Sequence, residues 1–135
     1  VNTQEATRFV DAPPSRVRRA LLTPRALPDW NPAFHTVEGP AHAATGVEYP
    51  MTVRGGLSGH WRYTAIDDRS IHTAWQVPGF RETGVWRLEP HGSGTVVTHA
   101  FGHHGPLALV LSKAYRGVGE LRLDRLARRV TRPAP

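Results

Sequence analysis

The stretch that decides the fold runs from residue 81 to residue 103: Arg81-Glu82-Thr83-Gly84-Val85-Trp86-Arg87-Leu88-Glu89, then Pro90-His91-Gly92-Ser93-Gly94, then Thr95-Val96-Val97-Thr98-His99-Ala100-Phe101-Gly102-His103. Two alternating runs rich in β-branched and aromatic residues flank a connector of turn-forming residues, which is the pattern of an antiparallel hairpin. Upstream the same pattern repeats. Phe34–Glu38, Val47–Arg54, Gly59–Asp67 and Ile71–Val77 read as strands, joined with Arg81–Glu89 and Thr95–His103 through Glu38-Gly39-Pro40, Arg54-Gly55-Gly56, Asp67-Asp68-Arg69-Ser70, Pro78-Gly79 and His91-Gly92-Ser93-Gly94. Connectors this short place successive strands side by side, so the simplest topology is an antiparallel meander.

Both ends of the chain differ from this middle. Thr3–Asp11 alternates in part and reads as an opening strand. Pro13-Pro14-Ser15 then changes the period: Val17, Ala20 and Leu21 recur at helical spacing, predicting a helix over Pro14–Leu22, and Thr23-Pro24 opens a brief helical turn over Pro24–Trp30. After Gly105-Pro106, residues Leu107, Val110, Leu111, Ala114, Val118 and Leu121 recur at helical spacing with no Pro until Pro133, predicting one terminal helix of about twenty-four residues. Its apolar stripe is not straight, because Leu123, Leu126 and Val130 lie more than a quarter-turn from the early set. Gly117 and Gly119 sit between the two sets, so a bend or break there and a straight helix with a wetted end both fit. The sum is an α+β fold with a curved seven-stranded antiparallel sheet, two short helices after the first strand and a long helix burying its stripe on the concave face. A helix across a curved sheet leaves a gap, and that gap is the expected binding site.

Composition narrows the function classes. At 135 residues the chain is expected to form one domain spanning 1–135. The longest strictly aliphatic run is Leu107–Leu111, too short to cross a membrane, and the first eight residues lack the apolar core of a signal peptide. Cys is absent, so disulfides and thiolate metal sites are excluded, and a cytoplasmic location is expected. The net charge of +6 raises nucleic acid or an anionic surface as partners. Yet among the 17 basic residues only Lys113 is a lysine, and codon bias toward Arg accounts for that skew more simply than phosphate recognition. Lys113, Arg116, Arg122, Arg125, Arg128, Arg129 and Arg132 cluster in the last quarter, which reads as the solvated face of the terminal helix.

Three segments carry a resemblance to a known superfamily: Ala12-Pro13-Pro14-Ser15-Arg16-Val17 leading to Leu27-Pro28-Asp29-Trp30-Asn31-Pro32; Gly84-Val85-Trp86-Arg87-Leu88-Glu89-Pro90 with Gly94-Thr95-Val96-Val97-Thr98-His99; and Gly105-Pro106-Leu107. In order and spacing the chain resembles the helix-grip superfamily of START-like, Bet v 1-like and polyketide cyclase/dehydratase proteins (SRPBCC). The resemblance implies an internal apolar cavity and a hydrophobic small-molecule ligand such as a polyketide, lipid or aromatic compound. It also implies, for the cyclase members, cofactor-free aldol closure and dehydration of a poly-β-ketone.

Such chemistry needs a base of near-neutral pKa and donors to a carbonyl oxygen. Alternation puts Val47, Tyr49, Met51 and Val53 on one face of their strand, Trp61, Tyr63 and Ala65 on one face of the next, and Thr73, Trp75 and Val77 on one face of the next. With Trp86 and Phe101, and with Leu111 and Val118 from the helix, these describe an aromatic-walled cavity; equally, each ring could fill volume with its polar tip bonded locally. Trp86 and Leu88 share a face opposite Val85 and Arg87, and apolar size favours Trp86 inward. His99 shares its face with Val97, Phe101 and His103, which makes it the candidate base, and its apolar setting should keep it neutral at pH 7. Tyr49 and Tyr63 are the candidate donors, with Arg54 or Arg62 as oxyanion partners at the mouth. Two other functions share the fold: a non-catalytic carrier or sensor of a lipid or polyketide, and an interaction module using the Arg-rich terminal helix. No oligomeric state is written in the sequence.

A metal is not expected. His99, His103 and His104 lie close together, but only Glu89 offers a carboxylate within ten residues on either side. A chelator should therefore leave the melting temperature unchanged; a drop on chelation, read by thermal unfolding with and without EDTA, would reveal a structural ion.

Overall fold

Turn chemistry sets the strand pairing. The computed structural model describes residues 2–131, in the order β1 (Asn2–Val10), α1 (Pro14–Leu21), a 3-10 helix (Pro24–Asp29), β2 (Phe34–Val37), β3 (Tyr49–Val53), β4 (Ser58–Ile66), β5 (Ser70–Val77), β6 (Phe80–His91), β7 (Gly94–His104) and α2 (Val118–Thr131). Strands β2 to β7 form the meander, and β1 joins its far edge beside β7, so the sheet order is β1-β7-β6-β5-β4-β3-β2. The segment holding α1 and the 3-10 helix carries the chain from one edge to the other. All pairings between the seven strands are antiparallel, and the register slips between Tyr63 and Ala65 and between Phe34 and Thr36. Irregularities of this kind bend strands and deepen the twist. The result is a curved half-barrel with a helix in its grip.

Period-two alternation sorts the concave face. Tyr49, Met51, Trp61, Tyr63, Trp75, Trp86, Leu88, Val97, His99 and Phe101 are all buried, while Arg62 and Arg87 between them are exposed. Trp86 therefore points inward, as its size favours. The helical layer closes this face from one side: α2 buries Leu123, Leu126, Ala127 and Val130 at positions three and four apart, and α1 buries Val17 and Leu21.

The terminal helix is shorter than its periodicity predicts. Residues 106–117 form consecutive turns, and regular α-helix starts only at Val118. Bonds such as Ala108 N–H to Gly105 O (3.1 Å) and Val118 N–H to Tyr115 O (3.2 Å) span three residues, whereas Leu111 N–H to Leu107 O (2.9 Å) spans four, so no continuous ladder forms. Two tertiary bonds tie this segment to the sheet side: Leu107 N–H donates to Gly79 O (3.0 Å), and the Gln4 side-chain amide donates to Tyr115 O (2.8 Å). Gly117, with φ of +77°, makes the break. The two apolar sets thus face different partners: Leu123, Leu126 and Val130 go to the core, and Leu107 and Leu111 to the wall of a cavity.

A Cβ on Gly117 would meet nothing within 4 Å, so substitution there tests backbone conformation alone. Gly117→Ala should cost about 1 kcal/mol in urea unfolding, the penalty for holding an L-residue in the left-handed region. Unchanged stability would show that the break does not depend on this dihedral.

Candidate functional site

Between the 106–117 segment and the β3–β5 side of the sheet lies a cavity of about 480 Å³. Val53, Trp75, Val77 and Phe80 form its floor; Leu107, Leu111, Ala114, Tyr115, Val118 and Leu121 form its roof; Pro32, Ala33, Arg54 and Leu57 complete the wall. Arg54 and Leu57 are exposed and mark the opening. This volume suits a ligand of drug size.

Of the nine expected cavity residues, Trp75, Leu111 and Val118 line this space. Tyr49, Met51, Trp61, Tyr63, Trp86 and Phe101 do not. Trp86 is packed against Trp30 and His99, and Phe101 against His99 and Arg122; on the β3–β4 side Phe34 of β2 inserts edge-on between Trp61 and Trp75 with ring centroids 5.3 and 5.4 Å away. Trp61 packs edge-on to Tyr63, and Tyr63 edge-on to Tyr49, so this half of the concave face is filled by its own rings. Both phenols are engaged locally. The Tyr63 hydroxyl donates to Leu21 O (2.6 Å), satisfying a carbonyl at the end of α1, and burial pushes its pKa up. The Tyr49 hydroxyl donates to His42 O (2.7 Å) and accepts from Ala44 N–H (3.0 Å), holding the β2–β3 connection. Tyr115, which the sequence did not single out, is the phenol on the cavity wall, and burial raises its pKa, with the Glu82 charge adding to the shift.

Behind Tyr115 lies a buried polar network. Strand register sets Glu82 opposite His103 and Trp86 opposite His99. His103 Nε2–H donates to Glu82 Oε1 (2.8 Å), and Arg122 from the first turns of α2 grips the same carboxylate with both terminal nitrogens, at 3.0 and 2.9 Å. His99 donates from Nδ1 to Val85 O (3.2 Å), which leaves Nε2 as an acceptor, and Arg122 Nη1–H fills it at 3.1 Å. The imidazole is stacked on Trp86, with centroids 3.6 Å apart and planes 12° apart, and the Arg122 guanidinium lies over Phe101 at 4.6 Å. Burial, reinforced by the neighbouring Arg122 charge, lowers the His99 pKa to about 3. Burial alone would push the Glu82 carboxyl up, but Arg122 together with the His103 hydrogen bond outweighs it and holds the pKa down to about 2. His99 thus faces inward and is neutral, but its basic lone pair is engaged and it does not line the cavity.

A model of the family described as polyketide cyclase / dehydrase and lipid transport matches residues 3–131. The chain belongs to that family. Solved structures agree on the fold. CV1439 from Chromobacterium violaceum is 22% identical with a TM-score of 0.75, covering 98% of this chain and 99% of that one. Ara h 8.0201 is 17% identical with a TM-score of 0.71 over 96% of this chain and 97% of that one. DynU16, from the dynemicin biosynthetic locus, is 19% identical with a TM-score of 0.70, covering 95% of this chain and 46% of that one. No curated protein matches the chain.

Within this polyketide cyclase / dehydrase fold, the sequence reading missed two of the four network residues. Arg122, which the charge pattern places on a solvated face, is wholly buried; the signal is its place one turn before Leu126, on the face that also carries Val130. Arg125, Arg128 and Arg129 are exposed as expected, and Arg132 lies outside the described residues. Glu82 stands 21 residues from His103 in the chain, so proximity in sequence does not pair them, although alternation with Trp86 and Leu88 places it on the inner face. Arg62 is exposed on the convex side, whereas Arg54 lines the cavity. Among the described residues no group of three or more His, Asp or Glu is arranged to hold a metal ion, and no helix is long and apolar enough to cross a membrane.

The depressed His99 pKa fixes the sign of a pH dependence. Below its ordinary value near 6.5 the unfolded chain binds a proton that the folded chain refuses down to about 3, so this contribution to stability is full above pH 6.5 and is lost as pH falls toward 3. Urea unfolding of the parent should weaken steadily from pH 6.5 to pH 4.5. His99→Gln should flatten that interval while keeping the steeper loss near the Glu82 range below pH 4.5; identical profiles would mean that His99 is not held neutral by the fold.

Proposed function

We propose that the protein binds a hydrophobic, oxygen-bearing small molecule in the cavity beneath the 106–117 segment and acts as its carrier or sensor. The observation that carries this reading is the wall itself: eleven of the fourteen lining residues are Ala, Val, Leu, Phe or Trp, and no side chain on it is poised to take a proton from carbon. Arg54 is permanently charged. Tyr115, with its raised pKa, is a better donor than base. His99, with its accepting nitrogen held by Arg122, is separated from the cavity.

Cyclase chemistry is the second reading, favoured by the family's description and by one feature of the site. Tyr115 borders the cavity with its ring against His103 at 4.5 Å between centroids, and a phenol is a group able to donate to a ligand carbonyl and stabilise an enolate. DynU16 comes from a biosynthetic locus, which suits either reading.

Trp75 on the floor makes binding observable. Its emission should be quenched saturably by aromatic or polyketide-like ligands, and Ala114→Phe, which puts a ring into the cavity from the roof, should weaken binding by at least about tenfold with the melting temperature kept. If instead a poly-β-ketone substrate is turned over, and Tyr115→Phe lowers that turnover by about 10²-fold or more with affinity held, the cyclase reading replaces the carrier. No response to any apolar ligand would sink both.

A further inference from the structure

The cavity has a chemical bias that its volume does not reveal. The lining residues that carry a polar side-chain group are Arg54, Tyr115 and Trp75; no Asp, Glu, His, Asn or Gln lines it. Arginine and indole only donate hydrogen bonds. Trp75 is buried and its Nε1–H is closed off from the open space, so it contributes an apolar face to the wall and leaves Arg54 as the one charged donor on it.

Arg54 is anchored rather than adrift at the opening. Its backbone N–H donates to Ala33 O (3.1 Å) and its Nε–H to Pro32 O (3.1 Å), and both of those residues are themselves cavity wall. Fixing Nε restricts the guanidinium plane and leaves the two terminal nitrogens for a ligand. No carboxylate among the described residues forms an ion pair with Arg54. A ligand cation would find no counter-charge on this wall and would lose its hydration for nothing. A phosphate dianion would meet one positive charge where it needs two. A carboxylate matches a single planar fork in both charge and shape.

We infer that the ligand is an amphipathic carboxylic acid, seated with its carboxylate on Arg54 at the mouth and its apolar body along Trp75, Phe80 and Leu111. This rests on the proposed binding role of the cavity and adds the ligand's class and its orientation. The acid end stays at the solvent edge, where its desolvation is small, while the body displaces water from the apolar floor.

The test compares dodecanoate and 2-naphthoate with their methyl esters, by tryptophan emission and by calorimetry, on the parent, Arg54→Gln and Arg62→Gln. Arg54 and Arg62 are both exposed, so neither variant disturbs the core. The acids should bind the parent about tenfold more tightly than the esters, the scale of one charge-assisted hydrogen-bonded contact near water. Arg54→Gln should erase that preference while leaving ester affinity in place, and Arg62→Gln should leave both unchanged. Equal binding of acid and ester by the parent, or an equal loss of both in Arg54→Gln, overturns the inference while the binding role of the cavity stands. Binding of neither acid nor ester overturns that role, and the inference with it.

Discussion

The two-pronged contact between Arg122 and Glu82 is the constraint on which the rest of the molecule is arranged. It joins the helical layer to the middle of the sheet in a place from which water is excluded. A buried ion pair is not automatically stabilising, since two charges lose their hydration to form it, but removing one partner strands the other and costs about 3–5 kcal/mol. Here the cost is limited because the carboxylate and both terminal guanidinium nitrogens are hydrogen-bonded, although the buried Arg122 Nε–H has no partner. The carboxylate receives three hydrogen bonds, from both Arg122 terminal nitrogens and from His103, and the guanidinium also reaches His99 and the face of Phe101. Each group fixes the state of the next: Arg122 keeps Glu82 ionised, and His99 accepts from Arg122 only because its own proton is held by Val85 O. The pair also sets where α2 can sit, because a helix shifted by one residue would turn Arg122 away from the carboxylate by about 100°.

That anchor divides the concave face. On its β1–β7 side α2 packs directly on the sheet. On the β3–β5 side the chain has not yet become a regular helix, and the looser 106–117 turns, tied down near each end by Gly79 and Gln4, stand over a space that no side chain fills. Gly117 is the joint between the two regimes. A continuous helix over residues 107–131 would have to satisfy two apolar stripes a quarter-turn apart with one straight axis. Breaking it lets each stripe find its own partner, and the cavity is what the break leaves behind. Tyr115 belongs to both halves, one edge toward the cavity and its ring against His103 of the network.

What was legible in the chain and what was not follow the range of the interactions. The strand runs, their turns, the two short helices and the inward faces of Tyr49, Trp61, Tyr63, Trp75, Trp86 and His99 were all written in local periodicity, because alternation on a pleated strand is decided residue by residue. So was the family, carried by segments whose order and spacing survive at low identity. Periodicity names a face, however, and not what lies against it. It could not say that Phe34 would wedge between Trp61 and Trp75 and turn an expected aromatic wall into packed core. Nor does it give Arg122 its partner: the apolar face shared with Leu126 and Val130 marks the side chain as inward, but the carboxylate that makes this tolerable lies 40 residues away.

The sequence by itself therefore determined the strands, the two short helices, the presence of a terminal helix, the order of these elements, the curved antiparallel sheet and the inward direction of the strand side chains. Tertiary structure alone decided where the empty space falls, that Tyr115 and Arg54 border it, and that His99 is engaged by Arg122 instead of facing a ligand. The physical reason is that backbone periodicity and turn preference act within a few residues. A cavity, and a buried charge that is tolerated, are properties of how distant surfaces meet.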